Sequence, residues 1–251
     1  MTSLAPSPSP PPLFVSPSPS EDLRSSSEGT SIIANWSITD DDSVSFPSLW
    51  MSPRNFMSVE SPVKHRFTFV RGYQQVGPTC GLVALYMVAE HLNVDISSQQ
   101  IFELAVKKQF TTYGEMFCAK NLSSLAEEVL GSKADVVLER GDLKPKIRKA
   151  LFANHFVLIP YDTDKNNEPC LDSGRKAHWA ILCGIAKTRG NVFVIGRQSK
   201  SRLLSIWNLE KLVISNSNLR IPDLKVRFGS VVPSEGLYES LAEQCIVIKG
   251  K

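Results

Sequence analysis

From residue 61 onward the apolar and polar positions fall into two textures. The first is helical. After Cys80 no charged side chain appears until Glu90, and Leu82 through Ala89 are apolar or aromatic. A surface helix shows a polar face, so this pattern predicts a central helix from Cys80 to about His91, buried nearly all round. Gly77 and Pro78 punctuate the loop before it, and proline suits the first turn of a helix. Asp95 or Ser97 caps a second predicted helix through about Gln109. Asn121 or Ser123 caps a third, stopped by Gly131. Arg66 to Val70 alternates as a strand or lead-in.

The second texture is strand-like. Residues 134–138 read as a short strand, and Asp142 caps a basic helix through about Ala153. Residues 156–161 form an apolar run of strand length. A polar loop covers 162–176. Residues 178–185 and 191–196 then read as antiparallel neighbours joined near Arg189-Gly190. A short helix is expected over 207–213, capped by Ser205 or Asn208, with further strands at 226–232 and 245–248. Helices followed mostly by strands predict an α+β domain, with the central helix packed against an antiparallel sheet.

Residues 1–60 have neither texture. Residues 5–20 read APSPSPPPLFVSPSPS, and Ser- and Asp-rich sequence follows. Such a segment buries too little apolar surface to offset ordering, so a disordered tail over 1–60 and a folded domain over 61–251 are expected. Pro10-Pro11-Pro12-Leu13-Phe14 is a short polyproline-II candidate. Trp36, Phe46, Trp50 and Phe56 either tack this segment to the domain or go unused.

Charge follows the same division. The formal net charge of the 251 residues is +3, but residues 1–60 carry seven acidic and two basic side chains, and the remainder 26 basic and 18 acidic. A mildly basic domain suits an acidic partner. The chain lacks the clustered basic and aromatic residues of a nucleic-acid binder, a secretory signal, and any run approaching the ~20 apolar residues of a membrane span. Its five cysteines are widely spaced, without CxxC or a zinc-type Cys/His pairing, so reduced thiols, a cytoplasmic location and no metal or cofactor are expected.

Chemistry enters at Cys80. A thiol in the first turn of a helix faces unpaired N–H groups and the positive end of the dipole, which favour the reactive thiolate. The bland reading is a small buried hydrophobe. A base within reach decides between them. His178, opening an apolar strand after a polar loop, is the best candidate; His155 is the competitor.

Gln75-Val76-Gly77-Pro78-Thr79-Cys80-Gly81, with the later His178-Trp179-Ala180 strand and helices before sheet, resembles papain-like and C39-like cysteine peptidases. A closer resemblance is to the actin maturation protease family, through Gln75 to Leu85, His178-Trp179-Ala180, Arg197-Gln198-Ser199-Lys200-Ser201 and the Pro-rich N-terminus. It spans most of residues 70–202. The resemblance implies an aminopeptidase that removes the N-terminal, usually acetylated, Met or Cys of immature actin and leaves an acidic residue as the new terminus. It also implies that the Pro-rich tail binds profilin.

In that chemistry Cys80 attacks the carbonyl of the first residue and forms a thioester. His178 holds the thiolate as an ion pair, protonates the leaving amine and then activates water. The Cys80 N–H and a glutamine amide stabilise the oxyanion. Gln75 matches the family run, whereas Gln74 has the six-residue offset common in papain-like enzymes. The strand after the histidine carries no Asn or Asp at its end, and Gln198 is the candidate orienter. Arg175 and Lys176 are placed to meet the acidic start of the substrate. Two other readings remain open: a catalytically silent scaffold recruited through its proline tail, and a peptidase of the same fold acting on a ubiquitin-like or leader peptide.

Overall fold

The structure is a computed structural model and describes residues 37–38, 45–50, 60–222 and 229–251. The expected Pro-rich tail, the polyproline candidate, Trp36 and Phe56 lie outside the described residues. Two aromatic residues upstream of Ser61 pack against the domain. Phe46 stacks on His65 with ring centroids 3.9 Å apart, and Trp50 meets Phe193 edge-on at 5.7 Å.

In chain order the elements are β1 (Ser37–Ile38), α1 (Phe46–Trp50), β2 (Lys64–Phe67), β3 (Tyr73–Gln74), α2 (Cys80–His91), α3 (Ser98–Lys107) and α4 (Ala119–Leu130). Then come β4 (Ala134–Arg140), α5 (Leu143–Phe152), β5 (Phe156–Asp162), β6 (Ala177–Lys187), β7 (Val192–Gln198), β8 (Ser205–Asn208), α6 (Leu209–Ser217), α7 (Gly236–Ser240) and β9 (Gln244–Gly250). The α+β class is as expected. Six strands form an antiparallel sheet in the order β4-β9-β5-β6-β7-β8, and β2 joins it by pairing with β6.

The sheet separates two cores. Alternation along β6 sends Trp179, Ile181 and Cys183 to the side of α2, α3 and α4, and Ala180 and Leu182 to the side of α5 and α6. Nine of the twelve residues of α2 are buried, which makes it the central helix the apolar run predicted. Burial of each large aliphatic side chain there stabilises by roughly 1.5–3 kcal/mol.

Local chemistry sets most boundaries. Ser97 accepts from the Gln100 N–H in a capping box at the start of α3, and Asp142 caps α5 by accepting from the Lys144 N–H. Three expectations are corrected. The residue before α4 is Cys118, without a side-chain cap, and not Asn121 or Ser123. Trp207 lies in β8, where Val194 pairs with it; the helix starts only after Asn208, whose side chain accepts from the Glu210 and Lys211 N–H groups. Of the strand expected over 226–232, residues 226–228 lie outside the described residues, and 229–232 form no strand.

Candidate active site

Cys80 opens α2 and His178 is the second residue of β6. Both line one cavity of about 180 Å³. Gly81 makes the close packing at this helix start possible. A Cβ there would sit 3.0 Å from Met116 Cβ and 3.1 Å from Trp179 Cδ1. Trp179 is fixed in turn, its Nε1–H donating to the Met116 carbonyl at 2.8 Å. Its backbone N–H is directed at the Cys80 thiol. Tyr161, opposite His178 in the β5–β6 register, meets the imidazole edge-on with centroids 5.9 Å apart.

The two candidate reacting groups are deeply buried, Cys80 at 9% exposure and His178 at 1%. Burial pushes the Cys80 thiol up. The Trp179 N–H, the Lys200 charge and the N–H groups at the helix start oppose it without overcoming it. Against the helix terminus, which favours the thiolate, desolvation is the larger effect. Burial also lowers His178, to about 3. The Lys200 charge adds to this, and the polar contact with Gln198 opposes it. Burial thus works against the charged form of both groups. The His178 Nε2 is buried without a hydrogen-bond partner.

The glutamines fall in place differently. Gln75 lines the cavity, while Gln74 sits in β3 and pairs with Ser37. Gln75 is held at three points. Its Nε2–H donates to the Gly77 carbonyl at 2.6 Å, its Oε1 accepts from Ser199 Oγ at 2.7 Å, and its backbone N–H donates to the Ser199 carbonyl at 2.9 Å. The amide's second N–H is not used by these bonds. Gln198 ends β7 beside the imidazole, and its Oε1 accepts from the Lys200 N–H at 2.8 Å.

Arg175 and Lys176 are exposed and line the same cavity. The loop that carries them is organised by buried Asp162, whose Oδ2 accepts from the Asp172 and Gly174 N–H groups. His155 lines a different cavity, with Lys149 and Lys249. Sequence reasoning missed Lys200, Glu115, Met116 and Tyr161 as neighbours of the thiol or its cavity. Lys200 lies within the Arg197–Ser201 run, but nothing local says that this run ends above Cys80.

The chain is similar over 202 residues to the actin maturation protease of Drosophila melanogaster, 35% identical, covering 76% of this chain and 73% of that one. The chain belongs to the actin maturation protease family. The Xenopus tropicalis actin maturation protease is 31% identical over 219 residues, with 73% and 72% of the two chains covered. The model of the actin maturation protease-like C-terminal domain matches residues 70–186, which hold Cys80 and His178. Actin maturation protease relatives make a peptidase role the supported one. Among solved structures, a C39-like peptidase from Bacillus anthracis is similar at a TM-score of 0.43 and 13% identity, over 74% of this chain and 96% of that one; a likeness that loose carries no argument.

Proposed function

We propose that this chain is a cysteine aminopeptidase that removes the N-terminal, acetylated Met or Cys of immature actin in the cytoplasm. The observation that carries the reading is the meeting of Cys80, at the first turn of α2, with His178 in one cavity. Membership in a family of actin maturation proteases supports the substrate.

Burial, which works against both charged forms, suits a proton transfer timed with attack. As the carbonyl of the first residue arrives, the imidazole of His178 takes the Cys80 proton and the sulfur attacks. The Cys80 backbone N–H and the spare Gln75 N–H stabilise the oxyanion, each such donor contributing roughly 3–4 kcal/mol. The imidazolium protonates the leaving amine. The thioester that remains is hydrolysed by water, with His178 again as base. Gln198 acts as a positioning residue through its contact with the ring. Arg175 and Lys176 favour an acidic stretch after the scissile bond. The Pro-rich segment is assigned to profilin binding.

The test is release of acetyl-Met from an acetyl-Met-Asp actin N-terminal peptide. Wild type should release it and Cys80→Ala and His178→Ala should not. Equal release by wild type and Cys80→Ala would sink the reading.

A further inference from the structure

Three exposed cations line the cavity of Cys80 and His178: Arg175 and Lys176 just before β6, and Lys200 just after β7. They are not equivalent. Arg175 faces Asp172 at 3.9 Å. Lys200 forms no ion pair among the described residues. Of the three, only Lys200 acts through its charge on both Cys80 and His178. It is also the one carried on the segment that bears Gln198, beside the imidazole, and Ser199, which bonds to Gln75.

The backbone beneath Lys200 is fixed. Its N–H donates to Gln198 Oε1 at 2.8 Å, and the adjoining Ser199 is tied to Gln75 through both its hydroxyl and its carbonyl. The carboxylate that lines the cavity, Glu115, offers Lys200 no substitute partner. It is buried and accepts from the backbone N–H groups of Thr112, Tyr113 and Val231, at 3.3, 2.9 and 2.9 Å. The cavity thus holds a thiol, an imidazole and an ammonium that forms no ion pair among the described residues.

When the carbonyl of a substrate's first residue lies on Cys80 Sγ, the second residue's side chain is the next group along the chain. A cation on the segment that carries Gln198 and bonds to Gln75 is placed to meet that side chain. Resting on the aminopeptidase reading above, we infer that Lys200 is the specificity-determining residue, its ammonium taking the carboxylate of the residue that becomes the new N-terminus. Arg175 and Lys176 then act on residues further along. The hydrogen bond is charge-assisted on both sides, the stronger kind.

The experiment compares matched peptides beginning acetyl-Met-Asp, acetyl-Met-Asn and acetyl-Met-Lys. Wild type should prefer Asp over Asn by about tenfold or more in kcat/KM. Lys200→Met should bring that ratio to within about twofold, and Lys200→Glu should turn the preference toward Lys. The double variant Arg175→Met/Lys176→Met should keep most of the Asp preference. An intact preference in Lys200→Met, or its loss in the double variant alone, overturns the inference. Calorimetric binding of the same peptides to Cys80→Ala and Cys80→Ala/Lys200→Met separates this from catalysis. A carboxylate preference in binding that disappears with Lys200 supports the site, and one that survives overturns it. Wild type that releases acetyl-Met from none of the peptides overturns the aminopeptidase reading, and the binding comparison still judges Lys200.

Discussion

Cys80 and His178 show how little a helix terminus can do against burial. The N–H groups at the start of α2 and the Lys200 charge all favour the thiolate, yet burial outweighs them and pushes the thiol up. The pH dependence of alkylation checks this directly. Iodoacetamide should modify Cys80 ahead of Cys183 and Cys245, which lie in the cores and are pushed up to about 12. The Cys80 rate should still be climbing above the ordinary thiol range. A plateau already reached in mild acid would mean a preformed thiolate–imidazolium pair instead. The candidate nucleophile and base could be read as residue types in sequence context. The effect of burial on them could not, because desolvation depends on every chain segment that closes over the pair.

At the scale of elements, the start of α2 depends on the absence of one side chain. A methyl group at Gly81 has to displace Met116 or the Trp179 ring, both within about 3 Å of where it would lie. Gly81→Ala is expected to lower stability by about 1–3 kcal/mol. It should lower activity further, since the Trp179 N–H is aimed at the sulfur. Urea unfolding and acetyl-Met release measure the two effects, and an unchanged urea midpoint would show that the contact relaxes freely. Most elements could be read locally. The α2 run, the Ser97 and Asp142 caps and the apolar β5 and β6 stretches carry their own signals in pattern and capping chemistry. Misreadings came where a neighbour decides. Trp207 has a helix-compatible context but is held in a strand by β7, and α4 starts without a side-chain cap. Lys200 belongs with these, since it lines the Cys80 cavity only because β7 runs beside β6 and Ser199 bonds to Gln75.

For the whole molecule, a buried neutral histidine makes folding sensitive to acid. In the unfolded chain His178 takes its proton near the ordinary 6.5, whereas in the fold it resists until about 3. Between those values unfolding takes up a proton. The contribution is fully present above about pH 6.5 and is lost as the pH falls toward 3. Each pH unit in that window costs roughly 1 kcal/mol. His178→Asn should flatten this part of the profile, so that the stability difference between wild type and variant narrows or reverses on going from pH 7 to 4. Urea midpoints measured across that range provide the check. Parallel profiles would mean that the imidazole is not held neutral.

The sheet order has a consequence for how the protein is made. β9, residues 244–250, lies between β4 and β5, and is paired to both. Of the strands in this sheet it is the last to leave the ribosome, yet it occupies an interior position. Until it arrives, β4 and β5 each present a bare row of backbone donors and acceptors, and the sheet cannot close. The nascent chain can assemble α2 and its neighbours early, but completion has to wait for β9. Newly made molecules therefore pass through a stage with two open strand edges, in which capture by a chaperone or by another nascent chain competes with the insertion of β9.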